Sequence, residues 1–356
     1  MKNGHSALEK LFIHNNKIDS AGIAAISSAL VTNSKLKVLD IHGNKPDTTV
    51  EWQVFALCLC NPDSALIQLN LSDSNLHDEG IKALGDALAM NTTLKELQLG
   101  WNGEIVDGWR EFFNRMHNPD SALERLELRS SHIMGDAIAA LANSFANMSS
   151  LVHLDISCND HASSQDWHAL TPLLQSPASS LKKLFLHATN IDDEAMISYA
   201  GALTTNTSLE SLYFGWSYDD PILARGLTAL MKLVCDKSSI QATYSSNHRL
   251  VLQLSAGKRP SDWDFTVDFN YCTNKADVAR QKILQYHFWK DGTHISIRGF
   301  IELPTKLMPG ALAWVGRDRD VDWRTRYYQV CEHSIFYKVL QGMTSLFRFD
   351  TEKMSA

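Results

Sequence analysis

Histidine and cysteine are the residue types with chemistry to offer here, 14 of one and 6 of the other in 356 residues. Cys58, Cys60, Cys158, Cys235, Cys272 and Cys331 form neither a disulfide framework nor a set with zinc-site spacing. Cys58 and Cys60 stand two apart on an expected helix and so face different ways. All six read as reduced thiols filling small spaces. The chain has no G-x-x-x-x-G-K-[ST] phosphate loop, no G-x-S-x-G nucleophile turn and no H-E-x-x-H. Gly316-Arg-Asp-Arg-Asp reads as a charged turn. His14, His42 and His187 recur at one place in a pattern set out below, and adjacent strands would hold His14 and His42 ~5 Å apart. Two imidazoles make half a metal site, and the sequence offers no third ligand beside them. The expectation is no catalytic residue, no metal and no cofactor.

What must position such residues is a repeat. NPDSAL occurs at Asn61–Leu66 and again at Asn118–Leu123. Aligning on it exposes L-x-x-L-x-L, then a small polar residue and often an aliphatic. Copies begin at Leu8, Leu36, Leu66, Leu94, Leu123, Leu151, Leu181 and Leu209, in steps of 28, 30, 28, 29, 28, 30 and 28. A fixed period of this size marks a solenoid. The L-x-L core is a short strand whose leucines alternate inward. The second half is an amphipathic helix, as Ile23, Ile26 and Leu30 show by their spacing. Asp19, Asp78 and Asp192 stand where helices begin and are expected to cap them. Strand and helix in alternation give a parallel sheet.

Short junctions (TNSKL, MNTTL, NMSSL, TNTSL) alternate with long ones (NPDSAL twice, SPASSL). The true unit is therefore a pair of repeats, and NPDSAL is the return loop of every second one, with proline stopping the preceding helix. Eight residues after the first leucine stand Asn16, Asn44, Asn102 and Asn159, alternating from the third repeat with Ser74, Ser131 and Thr189. Buried there, they would bond the backbone of neighbouring turns. Trp52, Trp109 and Trp167 open every second helix and read as core. A degenerate ninth copy is expected over Ser239, Ala242, Tyr244 and Asn247.

With these residues in view, the chain resembles leucine-rich repeat proteins of the ribonuclease-inhibitor-like class over Leu8–Asn247. That resemblance implies an α/β solenoid, a horseshoe with a parallel β-sheet on the concave side and helices on the convex side. Ser or Thr stands here where that class carries Cys at the ladder position. Residues 1–247 are read as the solenoid and 248–356 as a mostly helical C-terminal capping region, in which Ala276–Phe288 is a helix with Val278, Ile283 and Leu284 on its apolar stripe. This tail also resembles that of leucine-rich repeat proteins from diatom-type algal genomes, through A-R-x-K-I, A-W-x-G-R-D and S-L-F. Leu8 opens the first strand after seven residues, so an uncapped N-terminal edge invites contact with another chain or a longer natural N-terminus.

A net charge of −7 argues against nucleic acid as partner. No secretory signal or membrane-spanning run of ~20 apolar residues is evident. A soluble cytoplasmic protein is expected, with no membrane partner. On the concave face, Phe12, Asp40, Glu127, Asp155, Phe185 and Tyr213 share the fourth column, with Arg129 in the sixth and Trp101 and Trp216 in the seventh. Glu96, Arg125 and Lys183 stand two places after their first leucines. An acidic, polar middle flanked by aromatics suits a protein or long peptide. The expected function is a non-enzymatic interaction scaffold. The resemblance allows two alternatives, a regulator that stimulates a small GTPase and a ribonuclease-inhibitor-type inhibitor.

Overall fold

The computed structural model describes residues 7–48, 50–103, 105, 107–146, 148–215, 224–254, 270, 275–290 and 294–295. Backbone contacts divide the chain into two units, residues 1–230 with 249–262, and residues 231–248 with 263–356.

The first unit carries nine parallel strands in chain order: β1 (Lys10–Phe12), β2 (Val38–Asp40), β3 (Gln68–Asn70), β4 (Glu96–Gln98), β5 (Arg125–Glu127), β6 (His153–Asp155), β7 (Lys183–His187), β8 (Ser211–Gly215) and β9 (Val251–Leu254). Each pairs with the next in one register, so Phe12 stands beside Asp40, Glu127 beside Asp155 and Phe185 beside Tyr213. Helices intervene: α1 (Ser20–Leu30), α2 (Val50–Cys58), α3 (His77–Leu88), α4 (Gly108–Arg115) and α5 (Asp136–Phe145). In the sixth repeat the helix is broken into α6 (Ser164–Trp167), a 3-10 turn and α7 (Thr171–Gln175), where Pro172 withholds an amide from a continuous helix. Then follow α8 (Asp193–Ala202) and α9 (Ala224–Val234).

The leucine columns are the core. From Leu36 to Leu209 the first leucine of each repeat is at most 3% exposed, and the next two apolar positions are similarly closed. Each contributes about 2 kcal/mol by leaving water. Trp52, Trp109 and Trp167 are buried, and Trp109 Nε1 donates to the Ser131 carbonyl at 2.8 Å.

The asparagine ladder is realised at Asn44, Asn102 and Asn159, whereas the Asn16 side chain, in the first repeat, is exposed and donates to the His14 carbonyl. Asn102 Oδ1 accepts from the Ser74 and Leu76 amides at 3.0 and 3.3 Å, and Nδ2 donates to the Leu71 and Leu99 carbonyls at 3.0 and 2.8 Å. Asn44 and Asn159 repeat the pattern. Ser74 and Ser131 donate to backbone carbonyls from the alternate repeats. In the return loops, Asn61 Nδ2 reaches the Val31 carbonyl and Asn118 Nδ2 the Asn91 carbonyl, each at 3.0 Å. The repeated hexapeptide thus ties one repeat to the one before it.

Two expectations are corrected. Asp19 and Asp192 cap their helices through the Gly22 and Ala195 amides, but Asp78 lies inside α3 and its Oδ1 accepts from Gly108 N–H, 2.8 Å away at the start of α4. The first turn of α3 points its carboxylate sideways to the next repeat. The ninth strand is Val251–Leu254, not the Ser239–Asn247 segment. Ser239 instead caps a short helix, α10 (Ile240–Tyr244), by accepting from Ala242 N–H at 3.1 Å. Only Leu250, Val251 and Leu252 supply the buried apolar side chains that a strand of this sheet requires.

In the second unit, α10 packs on α11 (Lys275–Ile283), which continues as a π-turn to Phe288. The helix expected over Ala276–Phe288 is therefore present, with Val278 and Ile283 buried. Lys282 is fully buried, its ammonium donating to Val234 O and Asn270 Oδ1 at 2.5 and 2.6 Å. Among the described residues no helix is long and apolar enough to cross a membrane.

Candidate functional site

The sheet face turned away from the leucine core carries side chains from columns two, four and six, and neighbouring strands bring them together. Three clusters result.

At the first strands, the His14 and His42 rings stack with centroids 4.5 Å apart and planes 11° apart. Asp40 reaches the edge of both: Oδ1 is 2.7 Å from His42 Nδ1 and Oδ2 is 3.6 Å from His14 Nδ1. The third ligand missing from the histidine column therefore stands in column four, two residues before His42 on the same side of the strand. Phe12, on the edge strand beside Asp40, is 57% exposed.

In the middle, the acidic residues are engaged with neighbours. Arg125 Nε donates to Glu127 Oε1 at 2.8 Å, and a second guanidinium nitrogen contacts the same oxygen. Asp155 Oδ1 accepts from the Ser157 amide at 2.9 Å and from the Ser157 hydroxyl. The middle of the face is thus a polar strip in which Glu127 pairs with Arg125 and Asp155 is held by Ser157.

Over β6–β8 the aromatics meet. Phe185 stacks on Tyr213 at 4.0 Å with planes 9° apart, and His153 lies against Phe185 at 4.7 Å. The His187 ring meets both edge-on, at 5.7 and 6.0 Å. Gln253 Nε2 donates to the Tyr213 hydroxyl oxygen at 3.1 Å. Burial, with the Arg125 guanidinium next and Lys183 adding to it, pushes His153 down to about 4, against the opposing pull of Asp155. Burial also lowers His187, with Arg129 adding to it and Asp155 opposing. His153 is therefore neutral near pH 7, and burial biases His187 in the same direction.

Trp101 follows β4 in a tight turn. The seventh position is left-handed in each described repeat: Asn15, Gly43, Asp73, Trp101, Ser130, Cys158 and Ala188 all have φ between 48° and 66°. Gly100 precedes it because a Cβ there would stand 2.8 Å from the Arg129 carbonyl oxygen. The turn leaves the Trp101 side chain 57% exposed, at a backbone conformation that bulky residues avoid. Trp216 lies outside the described residues. Of the expected site residues, Phe185 and Tyr213 touch, Glu127 and Asp155 are register partners, and Phe12 and Asp40 sit at the opposite end of the sheet. His153 was missed, although column two places it between Arg125 and Lys183.

Comparison with known proteins agrees with this architecture. A family model described as Leucine Rich repeat matches residues 66–85 and 91–107. NACHT, LRR and PYD domains-containing protein 14 of Mus musculus is 30% identical over 213 residues, 59% of this chain and 20% of that protein. The ribonuclease inhibitor of Mus musculus is 26% identical over 214 residues, 60% of this chain and 46% of its own length. A protein phosphatase 1 regulatory subunit 37 homolog of Caenorhabditis briggsae is 24% identical over 203 residues, 56% of this chain and 19% of that protein. The chain thus spans less than half the length of these relatives. Nine in-register strands and a ladder of buried asparagines thus build a leucine-rich repeat solenoid, similar over about 60% of the chain to ribonuclease inhibitor.

Proposed function

We propose that the chain is a non-enzymatic scaffold that binds a protein or long peptide on the open face of its sheet. The observation that carries this reading is the aromatic platform of Phe185, Tyr213, His153 and His187. Stacked rings on a strand face give a rigid, half-apolar surface at low entropic cost, the composition of interface anchors. Trp101 supplies a separate, more exposed anchor. The paired polar strip between β5 and β6 offers hydrogen bonds and fixes register. A partner here displays apolar or aromatic side chains opposite β6–β8 and polar ones opposite Glu127 and Asp155. Nine strands spaced ~4.8 Å apart provide room for a folded domain rather than a metabolite.

The test is capture from extract of the source organism. The wild type is compared with Trp101→Ala/Phe185→Ala/Tyr213→Ala and with Leu57→Gln on the exposed side of α2 as control. Circular dichroism verifies that all three fold. A protein retained by the wild type and the control but lost from the triple variant supports the reading. Equal capture by all three forms, or by none, refutes it.

The likeness to ribonuclease inhibitor favours a second reading, in which the partner is a ribonuclease. Adding the protein to a pancreatic-type ribonuclease assay tests this directly, and undiminished RNA cleavage at excess protein rejects it. The GTPase-regulating alternative would require faster GTP hydrolysis when the protein is added to a panel of small GTPases.

A further inference from the structure

We propose that His14, Asp40 and His42 form a binding site for a divalent transition-metal ion of the zinc class, on the same face but apart from the aromatic platform. One donor atom from each of the three residues lies within 4.8 Å of the other two, the one such group of three among the described residues. The two Nδ1 atoms approach the two oxygens of one carboxylate, at 2.7 and 3.6 Å. Zinc holds nitrogen and carboxylate oxygen at roughly 2.0–2.2 Å, which separates donors in a tetrahedral shell by ~3.3 Å. The contacts of 2.7 and 3.6 Å bracket that value, and with all donor atoms within 4.8 Å the stacked rings reach a common ion by turning about their side-chain bonds and closing the widest gap by up to about 1.5 Å. The backbone is already in place, since β1 and β2 pair with Phe12 beside Asp40, and His14 and His42 follow two residues later in each strand.

The surroundings suit an ion. Asp40 is the least exposed of the three at 17%, against 30% for His42 and 45% for His14, so the carboxylate forms the floor and the imidazoles the walls. Asn15's amide lies 3.3 Å from His42 Nε2. With its oxygen turned inward it accepts from the Nε2–H that an Nδ1-bound imidazole carries, the usual outer support of a ligating histidine. The competing partner of His42 Nδ1 is Asn70 Nδ2, whose 3.3 Å contact an ion displaces. Two imidazoles and one carboxylate favour zinc, copper or nickel over magnesium and calcium, which demand oxygen shells. Three protein ligands leave the fourth position open to solvent, as in zinc sites that take an exogenous ligand.

The test is titration calorimetry of the full chain with Zn2+ alone, with Mg2+ as the control ion. One Zn2+ per chain is expected, with no heat from Mg2+. Affinity should fall by more than about tenfold in Asp40→Asn and in His42→Ala, and stay unchanged in His132→Ala, a histidine outside the cluster. Co2+ loaded in place of Zn2+ should give visible absorption bands of a four-coordinate nitrogen–oxygen site, lost in His14→Ala. Circular dichroism verifies that each variant folds. Absence of Zn2+ binding overturns the proposal, as does binding that survives the His14→Ala/His42→Ala double variant. In either case the three side chains are only a hydrogen-bonded cluster.

Discussion

Replacing Asn102 by alanine should cost far more than its size suggests. The side chain is 3% exposed and holds two amides and two carbonyls of the turns that follow β3 and β4. Alanine leaves all four backbone groups without those partners, in a place too closed for water to replace them. At about 1 kcal/mol net for each hydrogen bond, the loss is about 4 kcal/mol, a large share of a domain's stability. The internal comparison is Asn16, which holds the same ladder position in the first repeat but is exposed, its side chain donating to the His14 carbonyl. Asn16→Ala should cost less than about 1 kcal/mol. Urea denaturation followed by circular dichroism measures both, and hydrogen exchange localises the loss. The Ser74 and Leu76 amides should lose protection in Asn102→Ala before those of β7 and β8, because a repeat array opens by neighbours. If Asn102→Ala and Asn16→Ala cost the same, the ladder is not what holds the turns, and the account of the alternating repeats fails.

Because His153 is pushed down to about 4, the unfolded chain takes up a proton between pH 6.5 and 4 that the folded chain refuses. Stability should fall as pH drops through that window, by about 2 kcal/mol for a half-buried ring, and level off below it. His153→Gln should shrink the fall between urea midpoints at pH 7 and pH 4.5, and an undiminished fall would show that other groups cause it. Trp101→Gly should leave stability unchanged or raise it by up to about 1 kcal/mol, since glycine carries no strain at φ 64°, yet weaken partner capture. A clear loss of stability would mean the ring is packed for structure. Asp78→Ala should cost about 1 kcal/mol and speed exchange at the start of α4 rather than in its own helix, because the bond it removes belongs to Gly108. Exchange that rises only in α3 would contradict that.

The solenoid was legible because its determinants repeat. A leucine that fails to enter the core breaks its own strand, so spacing survives even where other residues drift. The polar ladder was legible for the same reason: a buried backbone group demands a partner at a fixed offset, and Asn, Ser and Thr supply it at Asn44, Ser74, Asn102, Ser131, Asn159 and Thr189. The ninth strand was misplaced because Ser239–Asn247 mimics the offsets without leucines, while Leu250–Leu252 supplies the apolar residues at an irregular interval. On the open face the columns identified which residues are neighbours but not how they pair. Arg125 turns to Glu127 along its own strand rather than across to His153 or Glu96, a rotamer choice that periodicity does not encode. The left-handed turn at position seven is announced by Asn15, Gly43 and Asp73, but Trp101, Ser130, Cys158 and Ala188 adopt it too and dilute the signal.

This explains why a search for local motifs finds no site. Motifs such as H-E-x-x-H place their ligands on one helix turn or loop. In a repeat array the backbone between successive strands is committed to the leucine columns, the ladder and the return loops. Columns two, four, six and seven stay free to vary, and a cluster there draws its members from strands 28 to 30 residues apart. His14, Asp40 and His42 are such a set, as are His153, Phe185 and Tyr213, and in sequence each looks like isolated residues. Likeness to relatives at 24–30% identity therefore speaks for the fold rather than for the partner. If a partner docks on the open face as proposed, the residues that select it stand in these columns, and the comparison that decides function is made column by column across neighbouring strands.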